Sequence, residues 1–180
     1  MLMILSKLVM FFSGWKIEGQ APPEKKYILV AGPHTSNWDF IFGLATKVLL
    51  RLPTKYLGKS QLFRWPFGIF FRYVGGYPVD RSSNQNLVDA VVDLFNQHES
   101  FSIALAPEGT RSYTPELKTG FYHIARKANI PIRMVGLDYG KKTITIAEPF
   151  FAGPDMEADI QKVVDYFRSI TPKYPEKTIR

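Results

Sequence analysis

The sequence predicts an α/β fold in which a largely parallel central sheet is flanked by helices. Short apolar segments rich in β-branched residues alternate with segments of helical period, and 180 residues is the size of a single domain. The absence of cysteine excludes disulfides, thiolate zinc sites and cysteine nucleophiles. A net charge of +7 indicates an anionic partner, such as nucleic acid, a phosphorylated metabolite or a lipid headgroup surface.

The first residues, MLMILSKLVMFFSGW, are apolar around nearly the whole of the helix that they predict. Such a helix spans about 18–22 Å, which is short of the roughly 30 Å hydrocarbon core of a bilayer. No small-residue cleavage site follows it. We therefore expect a helix that is half-inserted into a membrane or lies in its interface, with a helix packed on the domain as the alternative. Residues 1–16 are assigned to this helix and residues 17–180 to one domain.

The remaining elements follow in order. The segments with a strand pattern are KYILVAG (26–32), TKYLG (54–58), YPVD (77–80), SFSIALAP (100–107), IPIRMVGLDY (130–139) and TITIAEPF (143–150). The segments with a helical pattern are 38–50, the amphipathic NQNLVDAVVDLFNQ (84–97), TGFYHIARKAN (119–129) and a final helix that Asp155 caps.

Positive charge and aromatic residues coincide in one part of the chain. No acidic residue occurs between Phe40 and Val79, and this interval contains LFRWPFGIFFRY (62–73). Basic and aromatic residues together are typical of a surface that lies on anionic headgroups. They are also typical of single-stranded nucleic acid binders, and a core segment with solvated charges is a third interpretation.

A histidine and an aspartate stand five residues apart in PHTSNWD, just after the first strong strand. A neutral imidazole suits proton removal near pH 7, provided that a carboxylate holds its second ring nitrogen in the right tautomer. With His34 in a loop and Asp39 in the first helical turn, capped by Ser36 or Asn37, the chain can fold back so that the two meet. The spacing alone is weak evidence, since a solvated histidine beside a capping carboxylate gives the same pattern.

Two further polar clusters lie where predicted strands end. In APEGTRS, a glycine lets the backbone approach an anion and Arg111 can bind phosphate bidentately. In GGYPVDRSS, Arg81 follows a strand-like segment. Together with the acid–base pair, these clusters indicate a site for a phosphorylated substrate with a hydroxyl to deprotonate. The alternative is that Arg81 and Arg111 are structural ion-pair partners of Asp80 and Glu108.

In this order, HTSNWD, GGYPVDR, PEGTRS and IPIRMVGL resemble the four motifs of the glycerolipid acyltransferase family, which includes bacterial 1-acylglycerol-3-phosphate acyltransferases. The resemblance extends from about Tyr27 to Phe150, and the PEGTRS match is highly specific. It implies the fold of that family and an O-acyltransferase. A fatty acyl group would pass from acyl-CoA or acyl-carrier protein to a lysophospholipid hydroxyl, most simply that of 1-acylglycerol-3-phosphate, with no acyl-enzyme.

The resemblance also implies site residues. His34 would be the general base and Asp39 the residue that orients it. The acceptor's glycerol-phosphate part would be held by Arg81, Glu108, Gly109, Thr110 and Arg111. Lys118 and Gly120 occupy positions where members of the family often carry a basic residue and a glycine. The resemblance implies no metal and no cofactor beyond the acyl co-substrate. From the composition and the class of substrate we expect a peripheral location on the cytoplasmic face of an anionic membrane, and no nucleic acid partner.

The chain departs from the family pattern at Pro33, where asparagine is common, at Ala106, where a large residue is frequent, and at Arg133, in an otherwise apolar block. These departures leave open another acceptor, including a lipid without phosphate. Three other classes also stay open: a metal-dependent hydrolase with His34, Asp39 and Glu108 as ligands, a basic nucleic-acid-binding module, and a catalytically silent lipid-binding relative.

Overall fold

The structure, a computed structural model, describes residues 1–79 and 84–179. Within these residues one sheet runs in the order β1-β7-β6-β2-β5-β3-β4, and every neighbouring pair is parallel except β6 and β7. The strands are β1 Lys16–Glu18, β2 Lys26–Gly32, β3 Lys55–Lys59, β4 Gly76–Val79, β5 Phe101–Leu105, β6 Ile132–Asp138 and β7 Thr143–Ile146. The helices are α1 Leu2–Ser13, α2 Asn37–Leu49, α3 Gly68–Tyr73, α4 Asn84–Gln97, α5 Gly120–Ala128 and α6 Met156–Arg168. Short 3₁₀ turns cover Ser60–Phe63 and Pro175–Lys177.

The central strand β2 shows why the predicted sheet forms. Its side chains alternate between two cores, because successive residues of a strand point to opposite faces. Ile28 and Val30 pack on the side of α4, α5 and α6, whereas Tyr27 and Leu29 pack on the side of α1 and α2. Both faces are covered, as a near-continuous apolar run predicts. The predicted α/β class with a largely parallel sheet is confirmed.

Helix α1 packs on the domain along one side only. Met10 is buried there, and Trp15, just after the helix, stacks on Phe42 of α2 with ring centroids 4.1 Å apart. Large apolar side chains on the rest of α1 are exposed: Ile4, Leu5, Leu8, Phe11 and Phe12. In residues 1–79 and 84–179, no helix combines the length and the apolar character that crossing a bilayer requires.

The basic and aromatic segment folds into the turn at 60–63 and the short helix α3, which the sequence analysis did not predict. Phe63 and Gly68 are buried, and Gly68 lies against the backbone of Phe63. Phe71 is half-buried. Six large apolar residues of the segment are exposed: Leu62, Trp65, Phe67, Ile69, Phe70 and Tyr73. Most of this segment is therefore surface.

The sheet order decides which loops meet. Strand β2 lies between β5 and β6, with Val30 opposite Leu105 and Gly32 opposite Gly136. Because parallel strands end at the same edge of a sheet, the segments that follow β2, β5 and β6 come together there. Those segments contain the PHTSNWD motif, the PEGTRS motif and Tyr139.

Candidate active site

His34 and Asp39 form a hydrogen-bonded dyad at this edge of the sheet. The Nδ1 atom of His34 lies 3.1 Å from Oδ2 of Asp39, with the imidazole partly exposed and the carboxylate buried. An ionised carboxylate only accepts hydrogen bonds, so Nδ1 carries the proton and donates it to Asp39. The other ring nitrogen, Nε2, is then the one that can take up a proton. This is the tautomer that a general base needs.

The loop geometry follows from the start of α2. Ser36 caps the helix, its Oγ accepting from the N–H of Trp38 at 3.2 Å, while Asp39 reaches back to the N–H groups of Ser36 and Thr35, both at 2.8 Å. Asp39 is thus the N3 residue of a capping box as well as the partner of His34. One carboxylate fixes the loop and the histidine together, which is how residues five apart come to face each other.

The surroundings keep Asp39 ionised. Burial alone would raise the pKa of this carboxyl, but hydrogen bonds from His34, Tyr139 and the Ser36 N–H outweigh it and leave the pKa below its ordinary value. A carboxylate that stays charged near neutral pH can stabilise the imidazolium that forms when His34 takes up a proton.

Tyr139, directly after β6, is a site residue that the sequence analysis missed. Its hydroxyl donates to Oδ1 of Asp39 at 2.6 Å. Burial raises the pKa of Tyr139 and the bond to Asp39 raises it further, so the phenol remains a donor. Its ring packs edge-on against Trp15. Tyr139 therefore holds Oδ1 of Asp39, while His34 and the loop amides donate to Oδ2.

Glu108 of the PEGTRS motif lies behind the histidine loop. It is 3% exposed, and its Oε1 accepts the backbone N–H of His34 at 2.8 Å. Its Oε2 is buried with no hydrogen-bond partner among the described residues. Burial raises the pKa of Glu108, and the bonds from backbone N–H groups offset this only in part. The ion pair between Glu108 and Arg111, which the sequence analysis gave as the alternative to a substrate site, does not occur in the described part of the chain.

A Glu108→Gln variant gains stability relative to the native chain as the pH rises. A carboxyl whose pKa is raised by folding contributes stability below its unfolded pKa of about 4.3, and this contribution is lost as the pH rises through the folded value. Glutamine keeps an oxygen for the His34 N–H and never ionises. Urea unfolding should therefore show that, from pH 4 to pH 8, the unfolding free energy of Glu108→Gln rises relative to that of the native chain. Glu116→Gln, an exposed neighbour on the same loop, controls for the lost charge, and a pH-independent difference for Glu108→Gln would contradict the account.

The rest of PEGTRS forms a turn around Gly109. Gly109 has φ 65°, a left-handed conformation that favours glycine, and a Cβ there would lie 2.8 Å from Nζ of Lys118. The loop that contains the turn is closed by a hydrogen bond from the N–H of Lys118 to the carbonyl of Pro107, at 2.8 Å. Because Gly109 has no side chain, the side chain of Lys118 can lie across the motif. The sequence analysis noted Lys118 at a position where the family often carries a basic residue. Thr110 is exposed, and its hydroxyl accepts from the N–H of Ser112.

Arg111 faces a cleft of about 320 Å³ beside the loop that follows His34. The cleft is lined by residues 35–38, Arg111, Tyr174 and Lys177. Of the two arginines in the predicted substrate site, Arg111 is therefore placed beside the histidine loop, whereas Arg81 lies outside the described residues. Gly120 begins α5 and is half-buried.

Arg133, the charged residue of the fourth motif, is buried and satisfied inside the fold. Its guanidinium contacts both oxygens of Glu24, at 2.8 and 3.2 Å, and the carbonyl of Ala147 at 3.2 Å. Within residues 1–79 and 84–179, no group of three or more His, Cys, Asp or Glu side chains is arranged to hold a metal ion.

Comparison with known proteins agrees with this architecture. A family model described as "Acyltransferase" matches residues 15–137. Over 131 residues the chain is 34% identical to a 1-acyl-sn-glycerol-3-phosphate acyltransferase of Saccharomyces cerevisiae, an alignment that covers 65% of this chain and 40% of that protein. The chain thus spans less than half the length of this curated relative. Among solved structures, it matches the 1-acyl-sn-glycerophosphate (LPA) acyltransferase PlsC from Thermotoga maritima with a TM-score of 0.64 at 19% identity, over 93% of this chain and 76% of that one.

Proposed function

Because the family model covers most of the sheet and the dyad, the chain belongs to the acyltransferase family, and we propose that it transfers an acyl group from a thioester to a lipid hydroxyl. The proposed acceptor is a lysophospholipid, 1-acylglycerol-3-phosphate, and the proposed donor is acyl-CoA or acyl-carrier protein. The name of the yeast relative supports this acceptor. The observation that carries the proposal is the hydrogen bond from His34 Nδ1 to Asp39.

The proposed reaction is a direct transfer. Nε2 of His34 takes the proton of the acceptor hydroxyl while the oxygen attacks the thioester carbonyl carbon. The C–S bond then breaks, the thiol leaves with the proton from the imidazolium, and the acyl group remains as an ester on the acceptor. Asp39 stabilises the imidazolium during these steps. General-base catalysis contributes about 10²- to 10⁴-fold, so positioning of the two substrates supplies the rest.

Substrate positioning is assigned to the PEGTRS motif. Arg111 faces the cleft beside the histidine loop, where its guanidinium can bind a phosphate through two N–H groups. The proposed partners in holding the glycerol-phosphate part are Gly109, Thr110 and Arg81. Glu108 is buried against the loop, so its proposed contribution is to fix the His34 backbone.

The proposal is tested by measuring free thiol released from acyl-CoA or acyl-carrier protein over a panel of acceptors. We expect release that depends on 1-acylglycerol-3-phosphate and a product that carries the acyl chain. Addition of a chelator separates the alternative hydrolase, which would release thiol without acceptor and stop when its metal is removed. Acceptor-independent, chelator-sensitive release would overturn the proposal.

We also propose that the protein docks peripherally on the anionic cytoplasmic face of a membrane. Two separate sets of exposed apolar side chains support this, one on the outer side of α1 and one in the segment 62–73. Lys7, Arg64 and Arg72 are exposed within them, and Arg72 also lies over the Phe63 ring at 5.4 Å. Apolar side chains beside cations suit the boundary between headgroups and acyl chains.

Surface substitutions on α1 should reduce membrane binding without unfolding the protein. A variant with Ile4, Phe11 and Phe12 changed to serine removes exposed apolar area, whereas truncating the helix would also remove buried Met10. We expect several-fold less protein to float with liposomes that contain phosphatidylserine. Phe151→Ser, an exposed apolar residue after the sheet, is the matched control. Equal flotation of the triple variant and the native chain would remove α1 from the docking surface.

A further inference from the structure

The residues after α6 return to the candidate active site. We refer to residues 171–177 as the C-terminal segment. Its start is held by the N–H of Tyr139, which donates to the carbonyl of Thr171 at 2.8 Å, and its middle by the N–H of Tyr174, which donates to Oγ1 of Thr35 at 3.3 Å. These bonds attach the segment to the residue after β6 and to the histidine loop. It therefore sits beside the dyad as part of the fold.

Side-chain packing strengthens this attachment. The ammonium group of Lys173 lies 5.3 Å from the Trp38 ring and 5.9 Å from the Tyr139 ring. The ammonium of Lys177 lies 4.4 Å from the ring of Tyr174, within the short 3₁₀ turn that ends the segment. Cation–π contacts of this kind are worth about 0.5–1 kcal/mol at exposed sites. They hold the two lysines near these aromatic rings and leave the ammonium groups charged.

The C-terminal segment supplies one wall of the 320 Å³ cleft, and the PEGTRS motif supplies a cation on another. Tyr174 and Lys177 line the cleft together with Arg111 and the loop residues 35–38. Among the described residues, no acidic side chain lines the cleft. In the described part of the chain, neither Arg111 nor Lys177 forms an ion pair. Within residues 1–79 and 84–179, the cleft thus places two positive charges without an acidic partner beside the loop that carries His34.

We propose that Lys177 and Arg111 together form a binding site for a phosphomonoester. This inference rests on the proposed function and adds a residue from the C-terminal segment, beyond residues 15–137 that the family model covers. Arginine offers a planar pair of N–H donors and lysine a compact point charge, so the two can hold different oxygens of one dianion. Thr35, Ser36 and Asn37 add short polar side chains at the same cleft.

Two substrates of the proposed reaction carry this chemical group. The acceptor 1-acylglycerol-3-phosphate ends in a phosphomonoester, and coenzyme A carries one on its ribose. Glycerol 3-phosphate and adenosine 3′,5′-bisphosphate therefore serve as separate soluble probes of the cleft. Binding measured by calorimetry needs no turnover, so this test stands apart from the test of acyl transfer.

We expect Lys177→Gln to weaken binding of one of the two probes about tenfold, the loss expected for one hydrogen bond to a charged group. The probe affected identifies the substrate. Lys127→Gln, an exposed lysine on α5 that pairs with Asp89, controls for the removal of one positive charge. In the thiol-release assay, the same variant should raise KM for the corresponding substrate and leave KM for monoacylglycerol or dephospho-CoA unchanged.

Two results would overturn the inference. One is native protein that binds neither probe, and the other is Lys177→Gln protein that binds both as tightly as the native chain does. Native protein that binds a probe but transfers no acyl group to any acceptor would instead count against the proposed function and leave the phosphate site in place.

Discussion

His34→Ala is expected to lower kcat for acyl transfer by about 10²- to 10⁴-fold, because it removes the proposed general base for the attacking hydroxyl. Its effect on KM should be small, since in the proposed mechanism the imidazole acts in the transition state and does not hold either substrate. Steady-state thiol release with 1-acylglycerol-3-phosphate measures both quantities. His123→Ala, an exposed residue on α5, is the matched control and should keep native turnover. Native circular dichroism with full turnover in His34→Ala would contradict the mechanism.

Asp39→Asn is expected to lower kcat by at least about 10²-fold while the fold is kept. The asparagine oxygen can still accept from the loop amides, but the negative charge that is proposed to stabilise the imidazolium is lost. Tyr139→Phe should reduce kcat less, since it removes one of the hydrogen bonds to Asp39 and leaves the charge in place. Tyr166→Phe is its control, because that hydroxyl lies 2.7 Å from Oγ1 of Thr145, away from the dyad. An Asp39→Asn enzyme with native kcat would show that the carboxylate only caps the helix.

Asp39→Ala tests the structural role of Asp39 in the histidine loop. It leaves the N–H groups of Thr35 and Ser36 without their acceptor, and an unsatisfied buried polar group costs about 1–3 kcal/mol. Chemical unfolding should therefore separate the two variants, with Asp39→Ala clearly less stable than Asp39→Asn. Equal stability of the two would remove the carboxylate from the loop's hydrogen-bond network.

Much of this fold follows from the sequence, since the main strands and the long helices coincide with clear local patterns. NQNLVDAVVDLFNQ is α4 over the same residues, and the helix predicted from Trp38 begins one residue earlier because Ser36 is the cap. Strand β1 and helix α3 were missed. Three residues are too few to establish a period, and β1 forms because it pairs with β7, next to it in the sheet.

Within the site, the contact between His34 and Asp39 was predicted from the sequence. The meeting of His34 with Asp39 follows from a loop entering a helix, which the residues themselves indicate. Tyr139 could not be predicted, because its contact with Asp39 depends on β6 lying next to β2, a fact of sheet order. Lys177 was missed for a similar reason, since no local pattern shows that the chain after α6 returns to Thr35. The role of Glu108 depends on its burial, which a motif does not reveal.

The dyad's tautomer is the claim on which the account depends most, and nitrogen-15 NMR of labelled histidine measures it directly. The chain has three histidines, so the His34 signals are assigned by their loss in His34→Ala. We predict that in the neutral form Nδ1 carries the proton and Nε2 does not, and that this preference weakens when Asp39 is replaced by alanine. A neutral His34 with its proton on Nε2 would contradict the account, because that nitrogen could not then act as the base.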